Sequence, residues 1–395
     1  MSDTILLITV LVVFGCAALL VLLTLLTRVL AMRRRARFLQ LEPRCREQVE
    51  QLILSGVRPS ISSTAERRLM LDLLLRHLAL LRGREADLII GHLEEDGYVE
   101  DLAERLSHGR PWKRAAAADL LGRSRSSRAV RPLTAALSDH DEDVRLVAAR
   151  SLALIGTPDA VDALAGALVA PTRWALAMVA DNLVLLGGAA VPALLSMMRR
   201  DGDPQAVAAA ARILGEVRDP RATEALLDVA RLSVDIDARA QAVAALGKIG
   251  SADAVRTLLS ALRDPAWEVR AQAAKGLGRL GDQTAAPGLQ RAMPDPSWWV
   301  RVNCGEALAQ LGEPGRLALR DVAGGDDRYA ADQARAVLTR LATAAARTAG
   351  EAAARARHHD APAAMVGSAG GAHVGARGGA TASRPAARLA GVEQL

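Results

Sequence analysis

The residues able to do chemistry are few, and their spacing is uninformative for catalysis. The seven histidines are His77, His92, His108, His140, His358, His359 and His373, and none forms a His-x-x-x-His pair on a helical run. A helical metal site needs two such ligands on one face, so neither a metal nor a cofactor is expected. Asp139, Asp141, Glu142 and Asp143 are a dense carboxylate cluster, yet the run lacks the glycine and distal glutamate of a calcium loop. They read instead as the acidic start of a helix, where they complement its dipole. Cys16, Cys45 and Cys304 stand too far apart for a disulfide framework or a thiolate metal site, which suits a reducing compartment. No glycine-rich phosphate loop follows a strand, and no nucleophile elbow occurs. That leaves binding, and the candidates are the five tryptophans, Trp112, Trp174, Trp267, Trp298 and Trp299.

The elements that must position those rings follow from an internal repeat. Leu121, Leu152, Leu183, Leu214, Leu246, Leu277 and Leu308 recur at a period of 31 residues, with one step of 32, and a weaker eighth copy places Leu338. Three residues beyond the leucines lie Ile155, Leu186, Val217, Ile249, Leu280 and Leu311. Four residues before them is a column of small side chains, Ala117, Ala148, Val179, Ala210, Ala242, Ala273, Cys304 and Ala334. Each unit reads as two short helices. In the best preserved copy the first helix starts at the acidic cluster and ends at Gly156, which can take a left-handed turn. Thr157 then caps and Pro158 opens the second helix, as Asp219 and Pro220 do two units later. Helices this short are unstable alone in water, so stacking must hold them. Cys304, in the small-residue column, reads as an alanine substitute in the core.

Aromatic residues are only 2% of the chain, too few for the strand runs of a sandwich or barrel, and the class is all-α. The tryptophans lie nine or ten residues before the repeated leucine, at the start of the first helix in their units. Each ring could pack across the junction with the preceding unit. Alternatively Trp267, Trp298 and Trp299 form an aromatic ridge for a partner; adjacent helical residues point about 100° apart, so both members of the Trp298-Trp299 pair can hardly be buried.

Residues 4–30 read as a transmembrane anchor. No charge occurs from Thr4 to Thr27, and that stretch as a helix spans roughly 36 Å against a hydrocarbon core of about 30 Å. Asp3 precedes it, whereas Arg28, Arg33, Arg34, Arg35 and Arg37 follow. The positive-inside bias therefore predicts a single-pass protein of the cytoplasmic membrane, its N-terminus outside and the rest in the cytoplasm. Residues 31–107 read as a basic juxtamembrane segment and a helical cap, with Ser63 and Glu66 in capping-box spacing. Residues 108–342 hold the repeats. From 343 to 395 the chain turns to Ala, Gly, Arg and Ser, a composition expected to stay disordered.

The pattern Asp-Pro-x-x-x-Val-Arg-x-x-x-Ala-x-x-Leu-Gly-x-Leu-Gly, clearest from Asp264 to Gly281, resembles HEAT repeats of the short bacterial type also found in phycobilin lyases. The resemblance implies an α-solenoid of about eight two-helix repeats, preceded here by the transmembrane helix. It also implies an Asp–Arg ladder along the stack, pairing Asp139 with Arg145, Asp264 with Arg270 and Asp295 with Arg301, with Arg239 in the same arginine column. Leu176, Val207 and Ala331 interrupt that column, so the superhelix is expected to be less regular around residues 170 to 230. HEAT-like hydroxylases carry adjacent His-Glu pairs as iron ligands, and this chain has no such dipeptide. Charge in the repeat body is nearly balanced, which argues against a HEAT protein that binds nucleic acid. The function these readings favour is a membrane-anchored protein-interaction scaffold. Its partners are the bilayer, through residues 4–30, and a membrane-associated protein. Similarity to single-span bacterial HEAT proteins implies a neighbour from envelope or polysaccharide synthesis. A bilin lyase or isomerase activity is the alternative, and it rests on the repeat type alone.

Overall fold

The computed structural model describes the backbone of residues 2–169, 173–199 and 203–359; the side chains of residues 2–14, 16–18, 30, 31, 33–39, 173–176, 350 and 352–359 lie outside that description. Among the described residues every regular element is helical. Helix α1 runs Ser2–Ser55, followed by α2 (Thr64–Leu80), α3 (Arg84–Glu95) and α4 (Tyr98–Ser107). The repeats then alternate first and second helices: α5 (Pro111–Ser124) with α6 (Val130–Ala136), α7 (Glu142–Ile155) with α8 (Pro158–Gly166), and α9 (Arg173–Leu186) with α10 (Val191–Arg199). Next come α11 (Pro204–Val217) with α12 (Thr223–Leu232), and α13 (Ile236–Ile249) with α14 (Ala254–Ala261). The stack ends with α15 (Trp267–Leu280) and α16 (Ala286–Ala292), α17 (Trp298–Gln310) and α18 (Glu313–Ala323), and α19 (Arg328–His359). Among the described residues the eighth copy is thus a first helix without a paired second one.

The leucine column makes the core. Leu121, Leu152, Leu183, Leu214, Leu246, Leu277 and Leu308 are all fully buried, and the small-residue column beside them, Cys304 included, is buried too. Burial also pushes the Cys304 thiol up, away from its reactive thiolate form. Small residues let consecutive first helices approach closely: a Cβ added at Gly247 would sit 2.5 Å from the Cα of Gly276 on the next first helix. First helices therefore touch along their length, whereas consecutive second helices touch sparsely. The first helices thus form one continuous, closely packed layer.

Local capping matches the sequence in most places. Ser63 accepts from the Glu66 amide at 3.2 Å, and the Glu66 carboxylate accepts from the Ser62 and Ser63 amides. Asp141 caps α7, and Gly156 closes it in the left-handed region at φ 64°. Thr157 differs from expectation: it holds the cap position, but its buried hydroxyl makes no hydrogen bond. The cap before α8 rests on the proline and the turn rather than on that side chain.

The ladder is real but paired differently. Arg114 donates through Nε and Nη2 to both Asp139 carboxylate oxygens, at 2.9 and 2.7 Å. Arg239 does the same to Asp264 and Arg270 to Asp295. Each pair joins the arginine of one repeat to the aspartate of the next. Within a repeat, Arg145, Arg270 and Arg301 donate through Nη1 to the main-chain carbonyls of Asp139, Asp264 and Asp295, not to their carboxylates. The physical reason is reach: the aspartate already accepts from the amide two residues on, so its free edge faces the preceding helix.

The C-terminal segment differs from expectation in one respect. Helix α19 continues to His359, so residues 343–359 are helical where an irregular tail is expected, and 360–395 lie outside the described residues. The chain divides at Leu341 into two units. Among the described residues no single helix is long and apolar enough to cross a membrane. The apolar stretch described within α1 is Leu19–Val29; most side chains of the expected 4–30 span, with Arg33, Arg34, Arg35 and Arg37, lie outside the description.

Candidate protein-interaction surface

On each first helix the leucine column points into the core, so residues two before, two after and five before it face out on the first-helix layer. On α11, α13 and α15 these positions carry Arg212, Glu216, Gln241, Lys248, Gln272, Lys275 and Arg279, and with Arg218 they line a groove of about 710 Å³. Five cations meet one carboxylate there. Glu216 accepts from the Lys248 ammonium at 2.7 Å, and Lys248, then Arg212 and Arg218, hold its carboxyl below the usual range. Among the described residues no carboxylate lies within ion-pair distance of Lys275 or Arg279.

Arg218 carries a second oddity. It closes α11 at φ 57°, in the left-handed region, where the corresponding positions of other repeats are Gly156, Gly187, Gly250, Gly281 and Gly312. A Cβ there is strained. Arg125 closes α5 in the same way at φ 52°, but its guanidinium donates to the Leu81 carbonyl at 3.3 Å, tying the first repeat to the cap. Arg218 has only the groove.

The tryptophans stand at the starts of the first helices, and they are open to solvent. Trp112 is 64% exposed, Trp267 42%, Trp298 54% and Trp299 55%, so packing across the repeat junction does not hide them. Trp298 and Trp299 meet edge to face with centroids 4.7 Å apart. Nearby, the Arg301 guanidinium lies 5.3 Å from the centroid of the exposed Tyr329 ring. The Trp174 ring lies outside the described side chains. Trp112 lines a separate groove of about 530 Å³ between α4 and α5, with Arg68, Arg105 and Lys113.

The sequence brought forward the tryptophans but not the basic groove. Charge summed over the repeat body is close to neutral and hides a local excess; only reading each exposed column helix by helix collects Lys248, Arg279, Arg212 and Lys275 on one face. The histidine that stands out is structural: His92 on α3 is buried, its ring nitrogens without hydrogen-bond partners, 3.5 Å from the Asp96 carboxylate and 6.0 Å from the Tyr98 ring.

The solved complex of CpcE and CpcF of phycocyanin lyase from Nostoc is 22% identical over 62% of this chain and 94% of that one, with a TM-score of 0.29. Human deoxyhypusine hydroxylase is 22% identical over 76% and 96%, with a TM-score of 0.26. The karyopherin Kap121p bound to the extreme C-terminus of the phosphatase Cdc14p is 14% identical over 75% and 41%, with a TM-score of 0.43. No curated protein sequence matches the chain. The family model described as HEAT repeats matches residues 99–183, 191–265 and 255–339, more than half of the chain, and with the stacked helix pairs this makes the protein a member of the HEAT-repeat family.

Proposed function

We propose that this protein is a membrane-tethered interaction scaffold, which holds a partner protein against its solenoid at the cytoplasmic face of the membrane. The observation that carries the reading is the exposure of Trp267, Trp298 and Trp299 on one edge of the first-helix layer. Large aromatic rings left in water without a structural role are the usual anchors of protein interfaces. Residues 4–30 supply the tether. Their support is the uncharged run from Thr4 to Thr27, set within one continuous helix from Ser2 to Ser55, and the arginines on its C-terminal side. Tethering raises the effective concentration of the surface toward other membrane components, so modest contacts persist. An enzyme of envelope or polysaccharide synthesis is the neighbour favoured.

The test is a paired substitution, Trp298→Ala with Trp299→Ala. Because both rings are exposed, the thermal midpoint should stay within about 2 °C of wild type, corresponding to roughly 0.5 kcal/mol. Recovery of the partner by crosslinking in host membranes should fall at least tenfold. If the pair unfolds the protein with no binding-selective effect, the aromatic ridge has no part in recognition.

A further inference from the structure

We propose that the groove across α11, α13 and α15 takes an acidic, extended segment of the partner protein. This deepens the interaction reading above and rests on it, naming what the solenoid recognises. Arg212, Arg218, Lys248, Lys275 and Arg279 face Glu216 alone among the groove's side chains, and that carboxylate is already engaged by Lys248. Among the described residues no further carboxylate lines the groove to answer the surplus charge, and a carboxylate-bearing ligand would meet it with charge-assisted hydrogen bonds.

Arg218 is the independent observation. Glycine fills its backbone position in five other repeats, and the left-handed conformation there disfavours any side chain. An arginine kept under strain, with no protein carboxylate of its own within ion-pair distance among the described residues, fits a role toward a ligand. Gln241 and Gln272 also line the groove; Gln272 offers a donor and an acceptor, and Gln241, whose amide nitrogen donates to the Asp237 carboxylate at 3.3 Å, keeps its carbonyl and one N–H. Such amides suit the alternating N–H and C=O groups of an extended peptide.

The dimensions select a peptide over nucleic acid. First helices packed at about 8 to 10 Å place α11 and α15 roughly 20 Å apart, the length of about six extended residues. On either side the same column carries a carboxylate: Asp181 is exposed on α9, and Glu306 on α17 is paired with Arg340. A phosphate backbone running past the groove would meet those carboxylates. Along the column two residues beyond the core leucine, the face turns apolar at Leu185 and Leu154, both exposed. The preferred segment therefore carries an acidic run with apolar residues at one end.

The experiment is fluorescence anisotropy on the full-length protein in mild detergent. The probe is a fluorescein-labelled peptide with two leucines followed by six alternating aspartates and glutamates, at near-physiological salt. Its amide counterpart, with asparagine and glutamine in place of the acids, should bind at least tenfold more weakly. Lys275→Glu with Arg279→Glu should weaken the acidic peptide at least tenfold. Arg218→Gly should weaken it several-fold while its denaturation midpoint holds or rises, which separates lost recognition from lost fold. Equal affinity for the two peptides, wild-type affinity in the double variant, or tighter binding of an oligothymidine with as many charges would overturn the assignment. If a membrane partner is still crosslinked undiminished by the double variant, the scaffold stands and the groove is not its recognition site. If the peptide behaves as stated but the wild-type protein captures no membrane partner, the groove's chemistry stands and the scaffold reading falls.

Discussion

At the residue scale, His92 shows how a buried group makes the fold sensitive to acid. Burial in the helical cap is the main influence on its imidazole and lowers its pKa; Asp96 and Glu95 oppose this, while Arg58 and Arg67 add to it. The folded protein therefore keeps the ring neutral at pH values where an unfolded chain, with a histidine pKa of about 6.5, has taken up a proton. Stability should be unaffected by this group above pH 6.5 and decline as the pH falls below it. Chemical denaturation at pH 7 and pH 5.5 would measure the loss. His92→Phe, which keeps an apolar ring beside Tyr98 and removes the unpartnered nitrogens, should flatten that decline; an unchanged slope would place the titration elsewhere. The ladder carboxylates act in a different window. Arg114 is the main cause holding the Asp139 carboxyl below its ordinary value, so its contribution is present above about pH 4 and disappears as the pH falls further.

At the scale of elements, the ladder is what joins one repeat to the next on the loop side of the stack. Arg270 is 14% and Asp295 9% exposed in their side chains, so removing one partner leaves the other poorly solvated. Arg270→Ala should destabilise the protein by about 2 kcal/mol, and Arg270→Ala with Asp295→Ala should cost clearly less than the two single changes summed. A double-mutant cycle in urea checks this, and strict additivity would mean the pair contributes nothing jointly. The helices themselves were legible because a leucine every 31 residues, flanked by small residues, has no other simple reading. The pairing within the ladder was not. Aspartate and arginine six residues apart look like partners in the sequence, but the partner lies 25 residues away, and only the stacking offset between helices decides which is met. Helix α19 outlasts its repeat for a related reason: alanine and arginine favour a helix as strongly as they signal a lack of core.

For the whole molecule, the sequence argued for a tethered solenoid and the fold places an exposed aromatic edge and a basic groove in one layer of first helices. Neither surface is explained by stability. A stack needs its leucines and its ladder; it does not need Trp298 and Trp299 in water or an arginine where glycine fits. The aromatic edge was visible in the sequence because tryptophan is rare here, whereas the groove was masked by opposite charges on neighbouring repeats. Under the proposed function, a tether at residues 4–30 would give such surfaces their effect, since it would confine the search for a partner to the membrane.

The most direct measurement is crosslinking in the native host, at native expression, of three forms: the full chain, the chain lacking residues 1–37, and the chain whose residues 1–37 are replaced by an unrelated single span of the same orientation. The account predicts one inner-membrane partner captured by the full chain, lost without residues 1–37, and recovered with the unrelated span. Equal capture by the truncated form would contradict it, because the solenoid would then find its partner without being held at the membrane.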